Sequence, residues 1–590
     1  MAGNIVSAPG ISEYNQTSFS GGMNLLVDDT RLQANEYRLG FNVRNRYDVL
    51  DEIANSTKDT SLSTGILQEI LTFGNYIIAF VSGNAYYRLY SNGSWQQIVG
   101  FRMDISAPRY WTIPVPLATT NYIRIASPVS TGGTTTSALL PINQYVPVSG
   151  QMLGNIPGLL VQDNLNQPQF IYLDQNSNIQ VRTTQSYDEW NVSYDKATGA
   201  LTVDKREYVP IGNCMAWVDG VLYIVSQDFN SIYRSVSGRP LDFVINVAID
   251  GSKGGDATTT SYSVGVGGIS CIRPLPDDSL FVSASNSNFS VSKNLSNVAP
   301  KEFGEYTFIR KFLFESTCLS DRCIIDSLGD TKFVDLTGVR SFNAIQQLQN
   351  EGRNSPFTAK IQAAFKGVTQ TVAAAIYFNN YEYYAVNTIF GPVIAVYDTI
   401  NNSWASFDTT QVGGSFIKAF AKIELAVQAL YAITVDNKLY QLYSGSTYST
   451  ATVLTPSVSS NMLYANTNIK MNNPRNEVKL AEFRCILNRI TSDCTITAQP
   501  FVDNNQSTNV QAVTKKVTYK APNTIYNGPL ILSDVNSRLA NILWPFPNCE
   551  QGWKVSVLLS WNGGGSITQF SMSLRDETPM NPVSAQTMVE

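Results

Sequence analysis

The chemistry open to this chain is limited first by a residue type that it lacks. Its 590 residues include no histidine, the side chain that most often serves as general base or metal ligand near neutral pH. Ser-His-Asp and Cys-His nucleophile systems, HExxH metalloproteases and Cys2His2 zinc fingers are therefore excluded. Any catalysis would have to come from carboxylates, Tyr, Lys, Arg or Cys.

Paired carboxylates could still cleave glycosidic bonds, which requires two Asp or Glu side chains flanking the bond. The adjacent pairs in the chain are Asp28-Asp29, Asp188-Glu189 and Asp277-Asp278. Adjacent residues of a strand point to opposite faces, and each pair stands beside turn-forming residues. We interpret all three pairs as solvated turns and predict that the protein is not an enzyme.

No motif predicts a phosphate, metal or cofactor site. Gly265 to Gly268 (GVGG) is rich in glycine but lacks the Lys-Ser/Thr that follows in a phosphate-binding loop. Asp174 to Asn178 (DQNSN) begins like a calcium loop, but Ile179 stands where that loop needs glycine and no Glu closes it. Both segments are predicted to be turns, with no metal and no cofactor bound.

The cysteines and the apolar stretches predict a chain made in a reducing cytosol without a membrane span. The N-terminus has no basic start followed by an apolar run, so we expect no secretory signal. The longest apolar stretch, Leu425 to Val435, is too short to cross a bilayer. The cysteines are odd in number and contain no C-x-x-C, so buried free thiols are predicted: Cys214, Cys271, Cys318, Cys323, Cys485, Cys494 and Cys549.

The one dense basic segment is Arg31 to Arg46 (RLQANEYRLGFNVRNR), in which Tyr37 and Phe41 are interleaved. Clustered Arg and Lys can bind nucleic acid by releasing counterions. Acidic residues flank this segment on both sides, which favours an interface segment whose arginines pair with a partner's carboxylates. The net charge of −5 would repel DNA weakly elsewhere, which suits a channel through which DNA slides.

The elements that must position any site are predicted to be strands. The chain is 43% hydrophobic but only 15% charged, as expected of a folded protein with an uncharged polar surface. From about residue 61 to 445, alternating apolar strands and Gly/Asn/Asp turns recur. The copies are Ile70 to Ile98, Leu159 to Trp190, Met215 to Phe243, Ile269 to Val291, Cys323 to Phe342, Ala374 to Phe407 and Ile417 to Tyr443.

A small sheet cannot bury both of its faces, so several copies must stack, and radial stacking gives a β-propeller. We predict an all-β protein with a propeller of about six or seven blades over residues 61–445, with inserts, the clearest near 106–150. A stack of β-sandwiches is the alternative. One short helix is predicted where Ser355 and Pro356 precede Phe357, Ile361 and Phe365, which share one helical stripe.

The flanking regions differ in pattern from the repeats. Residues 1–60 are polar and turn-rich, and we interpret them as an N-terminal docking arm. Alternating strands over residues 446–574 predict a separate C-terminal antiparallel β-sandwich. Residues 575–590 contain two prolines and no periodicity, as expected of a C-terminal arm.

Three stretches, in this order, resemble the β-propeller tail proteins of short-tailed bacteriophages, the nozzle and packaged-DNA stabilisation group that also occurs in crAss-like phages. The first is Phe19 to Asn24 (FSGGMN) followed by Asn42-Val43-Arg44, although Asp51-Glu52-Ile53 stands where the family commonly has Arg-x-Gly. The second is Gly220 to Phe243. The third runs from Gly329 to Phe342, through the predicted helix, to Tyr377–Val386 and Trp404. The resemblance covers roughly residues 15–445.

The resemblance implies a homo-oligomeric ring, sixfold or twelvefold, in the phage tail below the portal and its adaptors. Such a ring retains packaged double-stranded DNA and conducts it during ejection, without sequence-specific binding, and contacts other tail proteins and possible tail fibres. The localisation implied is the virion tail, after synthesis in the bacterial cytoplasm. Together with the basic segment, the resemblance assigns subunit docking to Gly21, Gly22, Asn24, Arg31, Arg38, Asn42, Arg44 and Arg46.

Two other functions remain open on the sequence. A carbohydrate-active propeller would need two carboxylates about 5 to 9.5 Å apart in a cleft. A receptor-binding propeller at the tail tip would expose aromatic side chains such as Trp111 or Trp561 on a distal surface.

Overall fold

A computed structural model gives the fold of the chain. It describes residues 11–25, 32–62, 64–90, 93–117, 129–131, 134–136, 156–173, 178–184, 190–194, 201–205, 209–235, 240–241, 243, 262–263, 268–275, 277–285, 287–293, 308–345, 357–424, 428–459, 477–519 and 540–577.

The centre of the fold is a seven-bladed β-propeller. Within the described residues, six antiparallel sheets of three or four strands, and the first four strands of an eleven-stranded sheet, follow one another along the chain. From the innermost strand outward, they are Leu67–Phe73, Tyr76–Val81, Asn84–Leu89 and Gln96–Gln97 (blade 1); Trp111–Leu117, Ile156–Gln162, Gln169–Leu173 and Ile179–Thr183 (blade 2); Gly212–Val218, Val221–Ser226, Ser231–Arg234 and Tyr262–Ser263 (blade 3); Ile269–Pro274, Leu280–Ala284, Ser287–Lys293 and Phe308–Glu315 (blade 4); Ile324–Ser327, Asp330–Asp335 and Gly338–Ser341 (blade 5); Ala374–Phe378, Tyr381–Thr388, Gly391–Asp398 and Ser403–Asp408 (blade 6); Ile417–Glu424, Gln428–Thr434 and Leu439–Leu442 (blade 7). The predicted propeller is confirmed, with blades at all seven copies. The predicted insert near 106–150 is wrong in its bounds, because it contains Trp111–Leu117, the innermost strand of blade 2.

Each blade buries its faces against its neighbours, which is the reason the sheets stack radially. Separate apolar cores lie between blades 1 and 2, 2 and 3, 3 and 4, 6 and 7, and 7 and 1. Blades 4, 5 and 6 share one larger core with the C-terminal strands. The contact between the innermost strands of blades 7 and 1 closes the ring.

The last blade is completed by the start of the chain. Thr57–Asp59 pairs antiparallel with Leu439–Leu442, the third strand of blade 7. A strand from one end of the propeller thereby joins a sheet from the other end. Opening the ring would require these hydrogen bonds to break together.

The arm and the C-terminal strands continue the sheet of blade 6. Leu39–Phe41 pairs with both Ser403–Asp408 and Ala451–Leu454, and Ala451–Leu454 then pairs with Lys554–Asn562. The rest of this sheet is Val458–Ser459, Cys494–Val502, Asn505–Gln506 and Val513–Val517. The second C-terminal sheet has the order Ile11–Gln16, Ser566–Glu577, Glu477–Asn488 and Ala540–Pro545, with Gln551–Gly552 paired to Glu477–Asn488.

These two sheets face each other over a core that contains Phe483, Trp544 and Trp561, so the predicted C-terminal sandwich is confirmed as a fold. It is not separate from the propeller, because one of its sheets continues the sheet of blade 6. Ile11–Gln16 supplies an edge strand to it. Smaller arm strands are Gly22–Met23, Glu36–Tyr37, Val43–Arg44 and Asp51–Glu52, with a 3-10 turn at Arg46–Asp48.

The remaining elements are short. Hairpins form at Val129–Thr131 with Thr134–Thr136, inside blade 2, and at Trp190–Tyr194 with Leu201–Lys205, between blades 2 and 3. The predicted helix exists as a 3-10 helix, Ala359–Phe365, with Ile361 and Phe365 buried against the blades. Its cap position is Thr358, whereas Ser355 and Pro356 lie outside the described residues. Residues 342–345 are also helical.

Turn chemistry explains the local hairpins. The two-residue turn of blade 6, Asn379-Asn380, has φ of 51° and 59°, and asparagine tolerates this left-handed region better than most residues. The same kind of turn in blade 5 uses Leu328 (φ 51°) and Gly329 (φ 78°). A leucine there is strained, because its Cβ crowds the backbone.

Candidate functional site

The carboxylate pairs of the sequence do not form a described cleft. Asp277 accepts a hydrogen bond from the backbone N–H of Ser279 at 3.1 Å, and Asp278 adopts φ 58° in the turn of blade 4. The turn interpretation is therefore confirmed for this pair. Asp28-Asp29, Asp188-Glu189 and most of the Asp174 and Gly265 segments lie outside the described residues.

Arg44 fastens the arm to blade 6. Its guanidinium contacts Asp408 through two hydrogen bonds, Nη1–Oδ1 at 3.1 Å and Nη2–Oδ2 at 2.7 Å. The side chain of Asp408 is fully buried and also accepts a hydrogen bond from the Tyr443 hydroxyl at 2.7 Å. Burial alone would lower the pKa of Arg44, but the charge of Asp408 outweighs it and raises that pKa above its ordinary value.

Arg46 makes a second attachment to the same blade. Its guanidinium lies 3.6 Å from the ring centroid of Tyr381 and pairs with the fully buried carboxylate of Asp398 at 3.2 Å. It also donates to the carbonyl of Asn380 at 2.7 Å. We call Arg44, Arg46, Asp398 and Asp408 the arm anchor; its carboxylates belong to the same chain.

The other predicted docking residues are also placed against this chain. Gly22 has φ 70°, and a Cβ there would lie 2.5 Å from the carbonyl of Trp404, so only glycine fits. A Cβ at Gly21 would meet the side chain of Asn35 at 2.6 Å. Asn24 donates to Glu36 at 3.0 Å, Asn42 donates to the carbonyl of Thr450 at 3.1 Å, and Arg38 donates to Asn504 at 3.1 Å.

Arg31 lies outside the described residues. The structure thus brings Arg44 and Arg46 together with Asn42 at the edge of blade 6, and it separates them from Arg38, which reaches the C-terminal sandwich. The partners seen are intramolecular. A contact of this segment with a second subunit stays a prediction.

The axis of the propeller is crossed by a charged turn that the sequence did not single out. Asp321–Cys323, which we call the central plug, lies between blades 4 and 5 and contacts the innermost strands of blades 4, 6 and 7. Asp321 pairs with Arg109, at the start of blade 2, at 2.8 Å. Arg322 pairs with Glu69 of blade 1 at 2.5 Å and donates to the carbonyl of Gln68 at 2.6 Å.

The pKa values of the charged side chains at the plug reflect several cations lying close together. Burial would raise the pKa of Asp321, but the charge and hydrogen bonds of Arg109 outweigh it and hold that pKa below its usual value. Burial and the charge of Arg109 lower the pKa of Arg322, against the opposing effect of Glu69. Burial and then the charge of Arg322 lower the pKa of Lys418, on blade 7, to about 8.

A cavity of about 300 Å³ lies beside the plug at the propeller axis. Its remaining charged residues lie near the far ends of the innermost strands: Arg273 pairs with Asp326 at 3.2 Å, and Lys422 donates to the carbonyl of Tyr377 at 2.9 Å. Glu69, Asp321 and Asp326 line the cavity, and each pairs with an arginine. The pKa of Asp321 is lowered, whereas the general acid of a glycosidase needs a raised one, so this side chain does not suit that role.

One signal in the sequence could have found the plug. Glu69 is the one charged residue of the innermost strand LQEILTF, and Asp321-Arg322 sits in a short linker directly before a blade. Charges at such positions must be paired, because burying a lone charge is costly. Their partners come from other blades, so the pairing itself is invisible in the sequence.

The two faces of the propeller differ in exposed apolar side chains. We call the face at which the innermost strands begin the top face and the opposite face the bottom face. Hydrogen bonds between loops of neighbouring blades, such as Gln227 to Asn164 and Leu67 to Asn437, tie the top face together. Among the described residues, its loops expose Ile66, Val99, Ile105, Leu165, Leu336, Ile389, Phe390 and Val435.

The turns of the bottom face expose fewer large apolar side chains, which among the described residues are Leu89, Leu328 and Ile400. The aromatic residues proposed for a receptor site are not on an open surface. Trp561 is 1% exposed and donates to the carbonyl of Gly565 at 2.9 Å, whereas Trp111 is half-buried beneath the Arg109 guanidinium.

The seven cysteines are all buried and free, as the sequence predicted, and burial raises the pKa of the Cys323 thiol to about 12. Among the described residues, no group of three or more Cys, Asp or Glu side chains is placed to hold a metal ion. No helix in the described part of the chain has the length and apolar character needed to cross a membrane.

Comparisons with known protein families and with curated proteins find no match. Among solved structures, 67% of this chain matches 95% of the WD40 domain of Pan2 from Neurospora crassa, at 9% identity and a TM-score of 0.32. A Bacteroides fragilis protein described as exported is matched over 93% of its length by 66% of this chain, at 11% identity and a TM-score of 0.27. Likeness this distant carries no argument about function, and the blade count rests on the sheet order above.

Proposed function

We propose that this protein is a structural, non-enzymatic subunit of a short phage tail, forming a sixfold or twelvefold nozzle ring that continues the portal channel. The observation that carries the proposal is the top face, whose loops expose eight large apolar side chains. Exposed apolar surface of this kind commonly marks a protein–protein interface. The ordered resemblance of three segments to tail nozzle proteins supports the same assignment.

The arm supports the proposal indirectly. The residues that resemble the family's opening segment are buried against blade 6 and the sandwich, for example Asn24 and Asn42 at 4% exposure each. They fix the geometry of the subunit itself. Contacts with the portal, adaptors, fibres or neighbouring subunits then have to use other surfaces, of which the top face is the most apolar.

The central plug supports one route for DNA within the proposed ring. A duplex, whose major groove alone is about 12 Å wide, does not fit a plugged cavity of about 300 Å³. The DNA channel of the proposed ring therefore lies between subunits and not along the propeller axis. Weakly acidic subunits, with a net charge of −5, would line such a channel without holding the phosphates.

Electron microscopy of the assembled particle and of the purified chain tests the proposal. We expect a rotationally symmetric ring at the tail vertex, and rings or higher oligomers of the purified chain. The double variant Val99→Asp/Leu165→Asp, on the top face, should prevent ring formation because it places charges in an apolar contact.

The matched control is Leu89→Asp/Ile400→Asp on the bottom face, where exposure is similar to that of Leu165 (47% and 54% against 53%). Rings should persist in this control. A strictly monomeric chain that is absent from particles would overturn the proposed function, and equal effects of the two double variants would overturn the role of the top face.

A further inference from the structure

The cavity beside the central plug carries more positive than negative charge. Four cations line it, Arg109, Arg273, Arg322 and Lys422, against three carboxylates. The fourth cation, Lys422, pairs at 2.9 Å with Glu424, which does not line the cavity and is about half exposed. The cavity walls therefore leave one positive charge without a carboxylate of their own.

Several donors in this cavity have no acceptor among the described residues. Arg273 uses only Nε to reach Asp326, so both of its terminal nitrogens are available. The Nε of Arg109 is buried and also lacks an acceptor in the described part of the chain. A buried guanidinium nitrogen without an acceptor costs free energy, which a bound anion would recover.

The cavity has a closed side and an accessible side. Arg109, Arg322 and Glu69 are near the starts of the innermost strands and retain only 11–16% side-chain exposure. Arg273, Asp326 and Lys422 are near the strand ends, at 34%, 48% and 35%. A ligand would thus reach the cavity from the bottom face and stop at the plug.

The excess of lining cations, and the nitrogens of Arg273 and Arg109 that have no acceptor among the described residues, point to an anionic ligand. We propose that the central cavity is a binding site for a small tetrahedral oxyanion, a phosphate group, held by Arg273 and Lys422 with the Nε of Arg109 behind it. These donors come from blades 4, 7 and 2, so they approach from different directions around the axis. A tetrahedral anion offers oxygens in all of those directions, whereas a carboxylate offers two in one plane.

Crowding of the cations around the plug agrees with this assignment. The pKa values of Arg322 and Lys418 are both lowered, by burial first and then by neighbouring cations. An anion in the cavity would offset that repulsion. The site belongs to a single chain and does not depend on the proposed tail function.

Calorimetric titration of the full chain with inorganic phosphate at pH 7 and low salt tests the proposal. We expect saturable binding, with affinity reduced about tenfold by Arg273→Gln and by Lys422→Gln, and abolished in the double variant. Both residues are about one-third exposed, so the variants should fold, which circular dichroism would verify. Lys438→Gln, a surface lysine paired with Asp436, is the matched control and should leave binding unchanged.

Titrations with two further compounds distinguish the possible ligands. Glycerol 3-phosphate binding more tightly than phosphate would support an esterified phosphate as the natural ligand, and the reverse order would support the free ion. Malonate binding more tightly than either would overturn the tetrahedral class. The proposed site would be overturned if phosphate gave no saturable heat up to about 20 mM. It would also be overturned if Lys438→Gln lost as much affinity for phosphate as Arg273→Gln or Lys422→Gln.

Discussion

The arm anchor and the central plug both bury charged pairs, yet the pKa of Arg44 in the anchor is raised and that of Arg322 in the plug is lowered. At the anchor, Arg44 has two contacts to Asp408 and lies 5.0 Å from the ring centroid of Tyr443. Its pKa is raised. At the plug, burial and the charge of Arg109 lower the pKa of Arg322, whereas the charge of Asp321 outweighs burial and raises the pKa of Arg109. Every arginine of the two clusters has a carboxylate partner. What sets the plug apart is that Arg322 lies close to other cations, Arg109 and Lys418.

The difference follows from where the partners come from. The anchor joins one arm to one blade, and its two arginines point to different carboxylates, Asp408 and Asp398. The plug stands on the axis, where several blades converge and side chains of like charge are forced close together. We expect the anchor to serve stability and the plug to be the place where a ligand can add binding energy.

The largest effect should come from breaking the anchor. Arg44→Met leaves the carboxylate of Asp408 buried without a cation, and we expect a loss of about 3–5 kcal/mol in the free energy of unfolding. Urea unfolding followed by tryptophan fluorescence measures it. Arg273→Gln, from a half-exposed pair, should cost about 0–1 kcal/mol and is the control. If Arg44→Met lost no more stability than Arg273→Gln, the anchor would not have the stabilising role expected of it.

Disrupting the plug should lower the free energy of unfolding by less than disrupting the anchor does. Arg322→Met leaves Glu69 unpaired but removes the repulsion that Arg322 exerts on Arg109 and Lys418, so we expect about 1–3 kcal/mol. The same urea experiment measures it. The variant should also raise the pKa of Lys418 above about 8, seen as a lower rate of acylation of this lysine at pH 8. If Arg322→Met lowered the free energy of unfolding as much as Arg44→Met, the expected difference between the two clusters would be wrong.

The crowding at the plug predicts a pH dependence. The pKa of Lys418 is about 8 in the folded chain against an ordinary value of 10.5, so between these values the unfolded chain binds more protons and stability rises with pH. Because Lys418 keeps partial solvent access, we expect about 1 kcal/mol after screening. Urea midpoints of the wild type and of Lys418→Met between pH 8 and 9.5 measure it. If the urea midpoints of the two proteins changed with pH in parallel, Lys418 would not be the source of the pH dependence.

The smallest expected change in stability comes from a turn of blade 5, at a residue that is not part of the plug. Leu328 is 75% exposed at φ 51°, and Leu328→Asn should stabilise the chain by about 0.5–1 kcal/mol because asparagine tolerates this conformation. Thermal unfolding would show a raised midpoint, with phosphate affinity unchanged. Leu89→Asn, exposed on the bottom face at a strand end, is the control and should give no gain.

The sequence predicted the repeating part of this fold well. Alternating apolar residues and Asn/Gly turns are local signals, so the seven copies could be located from residue types alone. A helix at Ile361 and Phe365 was also predicted, but the α-helical spacing that included Phe357 was wrong, because the element is a 3-10 helix that begins at Ala359. Local signals say nothing about which distant strand completes a sheet. That is why Thr57–Asp59, which closes blade 7, and Leu39–Phe41, which bridges blade 6 to the sandwich, were predicted only as parts of an arm.

By itself, the sequence determined that histidine chemistry is excluded, that the cysteines are buried thiols and that the chain is built of stacked β-sheets. These conclusions depend on composition and on short-range periodicity. Tertiary structure alone decided that Arg44 pairs with Asp408, that Asp321 and Arg322 plug the axis, and that apolar side chains gather on the top face. Each of those depends on residues brought together by ring closure over tens to hundreds of positions, which no local pattern records.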